Sequence, residues 1–217
     1  MRALIRAPSG GWILSAMALA GLAVFAFAIG VLMLPHSPAL GDRLPEMTCL
    51  QVAFTAVRAT SIIMSFTYEQ QVAMANLLLP GDATFAWGYG LVLAGLVGLL
   101  ARRFDGTWLR VGAIVMWMPI AASVLDVIED LFLYAIVAQL VANPSAIVAA
   151  ELPLLAGIAA TLKYLALIVV TPAYSIVGIL HGLRVDRSAG ALLVYFLLLI
   201  VCISMIMRPL QQIPACF

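Results

Sequence analysis

Charge is what this chain has least of. Only 10% of its 217 residues are charged, 11 Lys plus Arg against 10 Asp plus Glu, for a formal net charge of +1. Soluble domains carry about 25%, so the deficit excludes an ordinary soluble fold and leaves no room for a soluble second domain. With no long basic run there is no footing for nucleic acid or another anionic polymer as partner. Cysteine is scarce as well: Cys49, Cys202 and Cys216 make neither a CxxC pair nor a zinc spacing. The glycines form no Walker or dinucleotide fingerprint, no Ser/His/Asp set assembles on one side of the chain, and no fixed-period repeat is present. No cofactor and no metal are therefore expected. The one metal reading that the residues offer is a weak one, a hard-cation site of carboxylates with His36. The second histidine, His181, reads as a cation-capable group near a helix carboxyl end.

What is abundant is hydrocarbon. The chain is 65% hydrophobic with a mean hydropathy of +1.15, the composition of an integral membrane protein. Arg2 and Arg6 precede an apolar run from Gly11 to Leu34, long enough to cross ~30 Å of hydrocarbon at 1.5 Å per residue. Ala26-Phe27-Ala28 is like a signal-peptidase site, but the apolar run continues beyond it, which favours an uncleaved anchor. Further spans are expected over 83–101, 109–141, 151–182 (with a kink at Thr171-Pro172) and 189–207. The tryptophans Trp12, Trp87, Trp108 and Trp117 fall mostly near span ends and read as interfacial anchors or core.

Residues 46–79 are the ambiguous stretch. Gln51, Thr55, Arg58, Ser65, Glu69 and Asn76 recur at steps of three, four or seven, which predicts a polar stripe on a single helix. Such a helix either lies along the membrane surface or turns its stripe to a protein cavity. Basic short loops stay on the cytoplasmic side, and this decides the matter. If 46–79 does not cross, then Arg2, Arg6, the 102–110 loop and the 184–188 loop all lie inside, and the Lys/Arg-free 142–150 loop lies outside. The expectation is thus an all-α, five-span helical bundle in the plasma (inner) membrane, with one outer-face amphipathic or re-entrant helix. Its amino terminus is cytoplasmic and its carboxyl terminus outside. Cys49 and Cys216 then share the outer side, where a disulfide is permitted, although unpaired thiols are the default reading.

Asp126, Glu129 and Asp130 sit in the middle of the 109–141 run. A carboxylate at the centre of a membrane helix costs roughly 2.5–3.5 kcal/mol on insertion scales, so three on one helix need partners, a water-filled cavity or a function. At 100° per residue they share a ~100° arc, with Pro119, Ala122, Ser123 and Tyr134 on or beside it. Asp126 lies ~24 Å along the helix from Arg110, in the outer half of the membrane, and Lys163 lies ~18 Å from Glu151 on the descending fourth helix. The two levels are close enough to meet. Arg58, Glu69 and Asp82 can line the same outward cavity, although Asp82 also reads as a helix cap after Pro80-Gly81. Ala86, Gly90, Ala94 and Gly98 form a small-residue ladder, a close-approach surface for another helix, whether in this chain, a second copy or a membrane complex.

The run Asp126-Val127-Ile128-Glu129-Asp130, followed by leucine-rich sequence and by Lys163 in the next helix, resembles a D-x-x-E-N pattern of small bacterial multi-pass membrane proteins to which no activity is assigned. The resemblance covers about 46–170, and Asp130 stands where the pattern has Asn. It carries over no activity. From the residues themselves, Asp126, Glu129, Asp130 and Lys163 are the candidate catalytic groups, and Arg58, Glu69, Asp82 and Tyr134 the candidate ligand-binding groups. The expected function is an intramembrane pocket for a small or lipid-like molecule, with acid–base chemistry if there is catalysis. A proton or ion pathway and a non-catalytic accessory subunit are the alternatives, and a purely structural charge network is the plainest explanation of the acids.

Overall fold

Backbone placed in hydrocarbon has no water to bond to, so each apolar run satisfies its own N–H and C=O groups by coiling. In the computed structural model, which describes residues 5–212 and 216, every regular element among the described residues is helical. Arg2 lies outside the described residues.

The elements in order are α1 (Gly10–Phe27, extended by a π-helical turn Ala28–Met33), the short α2 (Ser37–Leu40), α3 (Leu44–Gln51), α4 (Ala56–Met64) and α5 (Tyr68–Asn76). A kinked segment, Leu77–Asp82, in which Leu79 leaves helical backbone (φ −130°, ψ 117°), leads into α6 (Ala83–Ala101); α7 (Gly106–Val115) and α8 (Met118–Ala142) follow. After α9 (Glu151–Tyr164) come a π-helical turn, Leu165–Val170, α10 (Thr171–Val185) and α11 (Ala189–Gln212). Four runs are long and apolar enough to cross a membrane: Gly10–Met33, Tyr68–Ala101, Gly106–Ala142 and Glu151–Val185. A shorter apolar stretch, Ala189–Ser204, lies in α11.

Two expectations are corrected here. Residues 46–79 are three helices and not one, so the polar stripe does not exist as a continuous face. Phe54 takes a positive φ of 55°, and its ring lies over Gly157, where an added Cβ would be 2.5 Å from the ring. Thr55 then caps α4 by accepting from the Arg58 amide at 3.3 Å. Thr67 caps α5 in a reciprocal box with Gln70, at 3.3 and 3.0 Å, the T-x-x-Q signature of a helix start. The second correction concerns the central run, which breaks at Met116–Trp117 into α7 and α8. Pro119 has no N–H to return to the carbonyl four residues earlier, which makes it suited to a first turn and unsuited to a helix interior.

In the fourth run a π-helical turn, Leu165–Val170, precedes Thr171-Pro172, and the backbone stays helical through it. Pro172 cannot donate, and Thr171 Oγ1 instead donates to the Ala166 carbonyl at 2.8 Å, within the π-helical register.

In lipid the packing of helices depends on close contact more than on the hydrophobic effect, so small residues set the seams. A Cβ on Gly88 would sit 2.7 Å from the Phe25 backbone, and one on Gly21 2.5 Å from the Val92 nitrogen, so α1 and α6 approach at backbone distance. The ladder residues work inside the chain as well. Ala86, Gly90, Ala94 and Gly98 are all buried. Ala86 accepts from Ser123 of α8 at 2.6 Å, an added Cβ at Gly90 would meet that same Ser123 hydroxyl at 2.0 Å, and one at Gly98 would meet Leu14 of α1. A second copy or a partner protein therefore finds this face already covered.

The polar contacts sort to two ends. At one, Arg6 pairs with Asp105 at 2.6 Å, Arg102 donates to the Ile5 and Ala7 carbonyls, and Arg103 pairs with Asp186. The Ser188 amide and hydroxyl, reinforced by Arg103, hold the Asp186 carboxyl below its ordinary range. At the other end Arg43 bonds Glu46 and the Ser65 carbonyl, which holds the Glu46 carboxyl low and ties α3 to the end of α4. Cys49 and Cys216 are joined in a disulfide, with Cα atoms 5.1 Å apart. The default expectation of unpaired thiols thus holds only for Cys202, which is free and buried.

Candidate functional site

Asp126, Glu129 and Asp130 stand at i, i+3 and i+4 of α8, so one helical face carries all three. That face is turned inward: Asp126 is 4% exposed and Glu129 and Asp130 are 0% exposed. Across the seam, α9 delivers Lys163, the chain's only lysine, itself 4% exposed. Ala156, Gly157, Ala159 and Ala160 are all buried on α9, and their small size lets α8 and α9 close up around the ammonium.

Lys163 Nζ lies 2.5 Å from Asp126 Oδ1 and 2.6 Å from Glu129 Oε2. The first contact is a hydrogen bond. The second is an ion pair by distance but falls off the directions of a hydrogen bond, so Glu129 depends on the charge alone, and its Oε1 has no donor among the described residues. On the other side, Tyr89 of α6 donates its hydroxyl to Asp126 Oδ2 at 2.7 Å. Asp82 arrives from the kinked segment before α6. It stands at the amino end of α6 but makes no capping bond, which corrects the cap reading. Instead Asp82, Asp126 and Asp130 each bring a carboxylate oxygen within 4.8 Å of the other two.

Asp82, Tyr89, Asp126 and Lys163 line the polar end of a cavity of about 530 Å³, and Glu129 and Asp130 lie outside its lining. Its apolar walls include Leu22 and Phe25 of α1, Val92 of α6, and Ile200 and Val201 of α11. Its polar end includes Asp82, Tyr89, Asp126, Lys163 and Tyr164, together with Thr48 and Gln51 of α3. Tyr164 donates to Gln51 Oε1 at 2.6 Å, which ties α9 to α3 beside the cavity. The volume lies within the ~300–1,000 Å³ common for small-molecule sites. Asp82 lines it from the kinked segment before α6, and Leu167 and Ile168 from the π-helical turn Leu165–Val170. Single π turns recur where a helix re-aims side chains at a site.

Compared with known proteins, this chain matches no family model, no curated protein and no solved structure. The geometry therefore has to speak by itself.

Of the eight residues singled out from the sequence, five converge: Asp126, Glu129, Asp130, Lys163 and Asp82. Three do not. Arg58 donates to the Cys216 carbonyl beside the disulfide, Glu69 is exposed on α5, and Tyr134 is 38% exposed on α8 and outside the cavity lining. Arg58 and Glu69 were tied to the site by the single-stripe helix, and the breaks at Phe54 and Ser65–Thr67 turn them elsewhere. His36 is no part of the carboxylate group. His181 stacks on Trp108 at 6.2 Å, in the last turns of α10. The sequence reading missed Tyr89 and Tyr164. A usable signal existed for Tyr89, since a phenol hydroxyl in an apolar span needs a partner when buried.

Proposed function

We propose that this is a five-span protein of the plasma (inner) membrane, with α11 as the fifth span, whose intramembrane cavity binds a small or lipid-like amphiphile. The observation that carries the reading is the cavity's composition: walls of Leu22, Phe25, Val92, Ile200 and Val201 lead to a polar end of Asp82, Tyr89, Asp126, Lys163 and Tyr164. An apolar site with a few convergent polar groups is the ordinary form of a ligand site, and here the division suits a hydrocarbon tail and a polar head. Any proton transfer to the head would begin at Asp126 and Lys163, the ion pair that faces the cavity.

The orientation has two supports. Arg6, Arg102 and Arg103 gather at one end, where the loop after α6 meets the amino-terminal segment through Arg6 and Arg102 and the loop after α10 through Arg103, as a cytoplasmic face requires. The Cys49–Cys216 disulfide marks the other end, and disulfides persist in oxidising compartments. A proton or ion pathway is disfavoured: towards the arginine-rich end the helices around the site present Leu93, Val97, Leu100, Ala113 and Met116 to one another, all buried.

The test is native mass spectrometry of the full chain purified in mild detergent. A co-purifying amphiphile is expected on the wild type and lost in Val201→Trp, which fills the cavity, while Leu155→Trp on the outer surface of α9 retains it. A bare wild-type chain, or an adduct that survives Val201→Trp, would overturn the proposal.

A further inference from the structure

Two acids at the polar end of the cavity, Asp82 and Asp126, meet a third, Asp130, that lies outside its lining. Asp82, Asp126 and Asp130 come from two separate elements, yet their nearest carboxylate oxygens lie within 4.8 Å of one another. An ion at the centre of such a triangle lies at most about 2.8 Å from each oxygen, a few tenths of an ångström beyond the 2.3–2.6 Å bond of calcium to oxygen, so a small side-chain adjustment lets one ion touch all three. Proximity of acids alone would say little. Asp130 adds the second observation: it is 0% exposed, and neither of its carboxylate oxygens has a hydrogen-bond donor among the described residues. Asp126, by contrast, is served by Lys163 and Tyr89.

A buried polar group left without a partner costs ~1–3 kcal/mol, and more if it is charged, so Asp130 calls for an electropositive neighbour that the described residues do not supply. The charge balance points the same way. Asp82, Asp126, Glu129 and Asp130 stand around one ammonium, that of Lys163, so the group has three more acids than bases. Protons or a cation must meet that excess in a medium that penalises net charge.

We infer that Asp82, Asp126 and Asp130 form a seat for a hard divalent cation, of the calcium or magnesium type, at the polar end of the intramembrane cavity. Asp82 and Asp126 line the cavity and give the ion its way in, and Asp130 closes the seat from behind. The ligand atoms are oxygen only, with no thiolate or imidazole in the group, which favours a hard ion over zinc or copper. Glu129 stays with Lys163, and Asp126 shares its carboxylate between the ion and its donors Lys163 and Tyr89. The seat shares Asp82 and Asp126 with the polar end proposed for the amphiphile's head, but each proposal has its own readout and can fail alone.

The probe is Mn²⁺, read by its electron paramagnetic resonance signal, on the full chain in detergent after chelator treatment. A single Mn²⁺ per chain is expected, displaced by Ca²⁺ or Mg²⁺, with Asp130→Asn weakening binding by about tenfold or more, at least the loss typical of a metal's supporting residues. Asp42→Asn, at an exposed acid remote from the cavity, should leave it unchanged. If Asp130→Asn does not fold, Asp82→Asn decides, because Asp82 lies at the cavity surface and should show the same loss. Substoichiometric Mn²⁺ on the wild type, or unchanged affinity in a folded aspartate variant, overturns the seat. An amphiphile adduct that persists in that case keeps the cavity reading while the cation is abandoned.

Discussion

Lys163→Met removes one charge from a place where it serves two acids. The ammonium lies 2.5 Å from Asp126 and 2.6 Å from Glu129, and all three residues are at most 4% exposed. At an effective dielectric of ~20 each contact represents about 6–7 kcal/mol of gross Coulomb attraction. Most of that is offset by the cost of bringing the groups out of water, so the net is far smaller than the sum. Removal of one partner from a buried pair nevertheless costs about 3–5 kcal/mol, because the remaining charge keeps its desolvation cost and loses its compensation. Methionine is close to lysine in length, so the void left behind is small and the loss measured is mainly electrostatic. The assay is unfolding of the full chain in detergent by SDS titration, followed by tryptophan fluorescence, for Lys163→Met, Asp126→Asn and the double variant. Lys163→Met should lose about 3–5 kcal/mol. The double variant should lose less than the two singles together by ~0.5–3 kcal/mol, since Asp126→Asn removes one of the stranded charges. Wild-type stability in Lys163→Met, or a cycle that adds within ~0.5 kcal/mol, would falsify the assignment of Lys163 as the counter-charge of the acidic face.

Two further outcomes follow from the packing and the crosslink. Gly88→Ala should lower stability by roughly 1–3 kcal/mol, the usual cost of overpacking, because its Cβ would lie 2.7 Å from Phe25 backbone. Gly30→Ala, with nothing within 4 Å of the added methyl, should stay within ~0.5 kcal/mol of the wild type, and equal effects of the two would remove the α1–α6 seam from the account. For the crosslink, the denatured chain should take up a single maleimide, at Cys202, before reduction and label at all three cysteines after it. Reduction should also destabilise the chain by up to ~5 kcal/mol for so long a loop. Labelling of all three without reduction refutes the disulfide.

The apolar runs and the identity of the acidic face were legible in the sequence because both rest on one-dimensional rules: hydrocarbon demands closed backbone bonding, and 3.6 residues per turn puts Asp126, Glu129 and Asp130 on one side of a helix. Counting residues put Lys163 at a level where it can meet Asp126, and the two are 2.5 Å apart. The reading of 46–79 went astray because it weighed periodicity above the local signals that compete with it, the Thr67-x-x-Gln70 capping box and the left-handed Phe54 that ends the approach to Thr55. Once that helix breaks, Arg58 and Glu69 lose their route to the site. The break at Pro119 was open to the same kind of local reading.

Composition and periodicity alone determined a helical membrane protein with buried acids at a predictable level. Which groups share the cavity was decided only by the tertiary structure. Asp82, Tyr89 and Gln51 reach Asp126 and Lys163 through helix packing between distant segments, and so does the pairing of Cys49 with Cys216. No local rule contains those distances. They depend on how closely backbones approach at Gly21, Gly88 and Gly90, on the kink at Leu79 and on the π-helical turn before Thr171-Pro172.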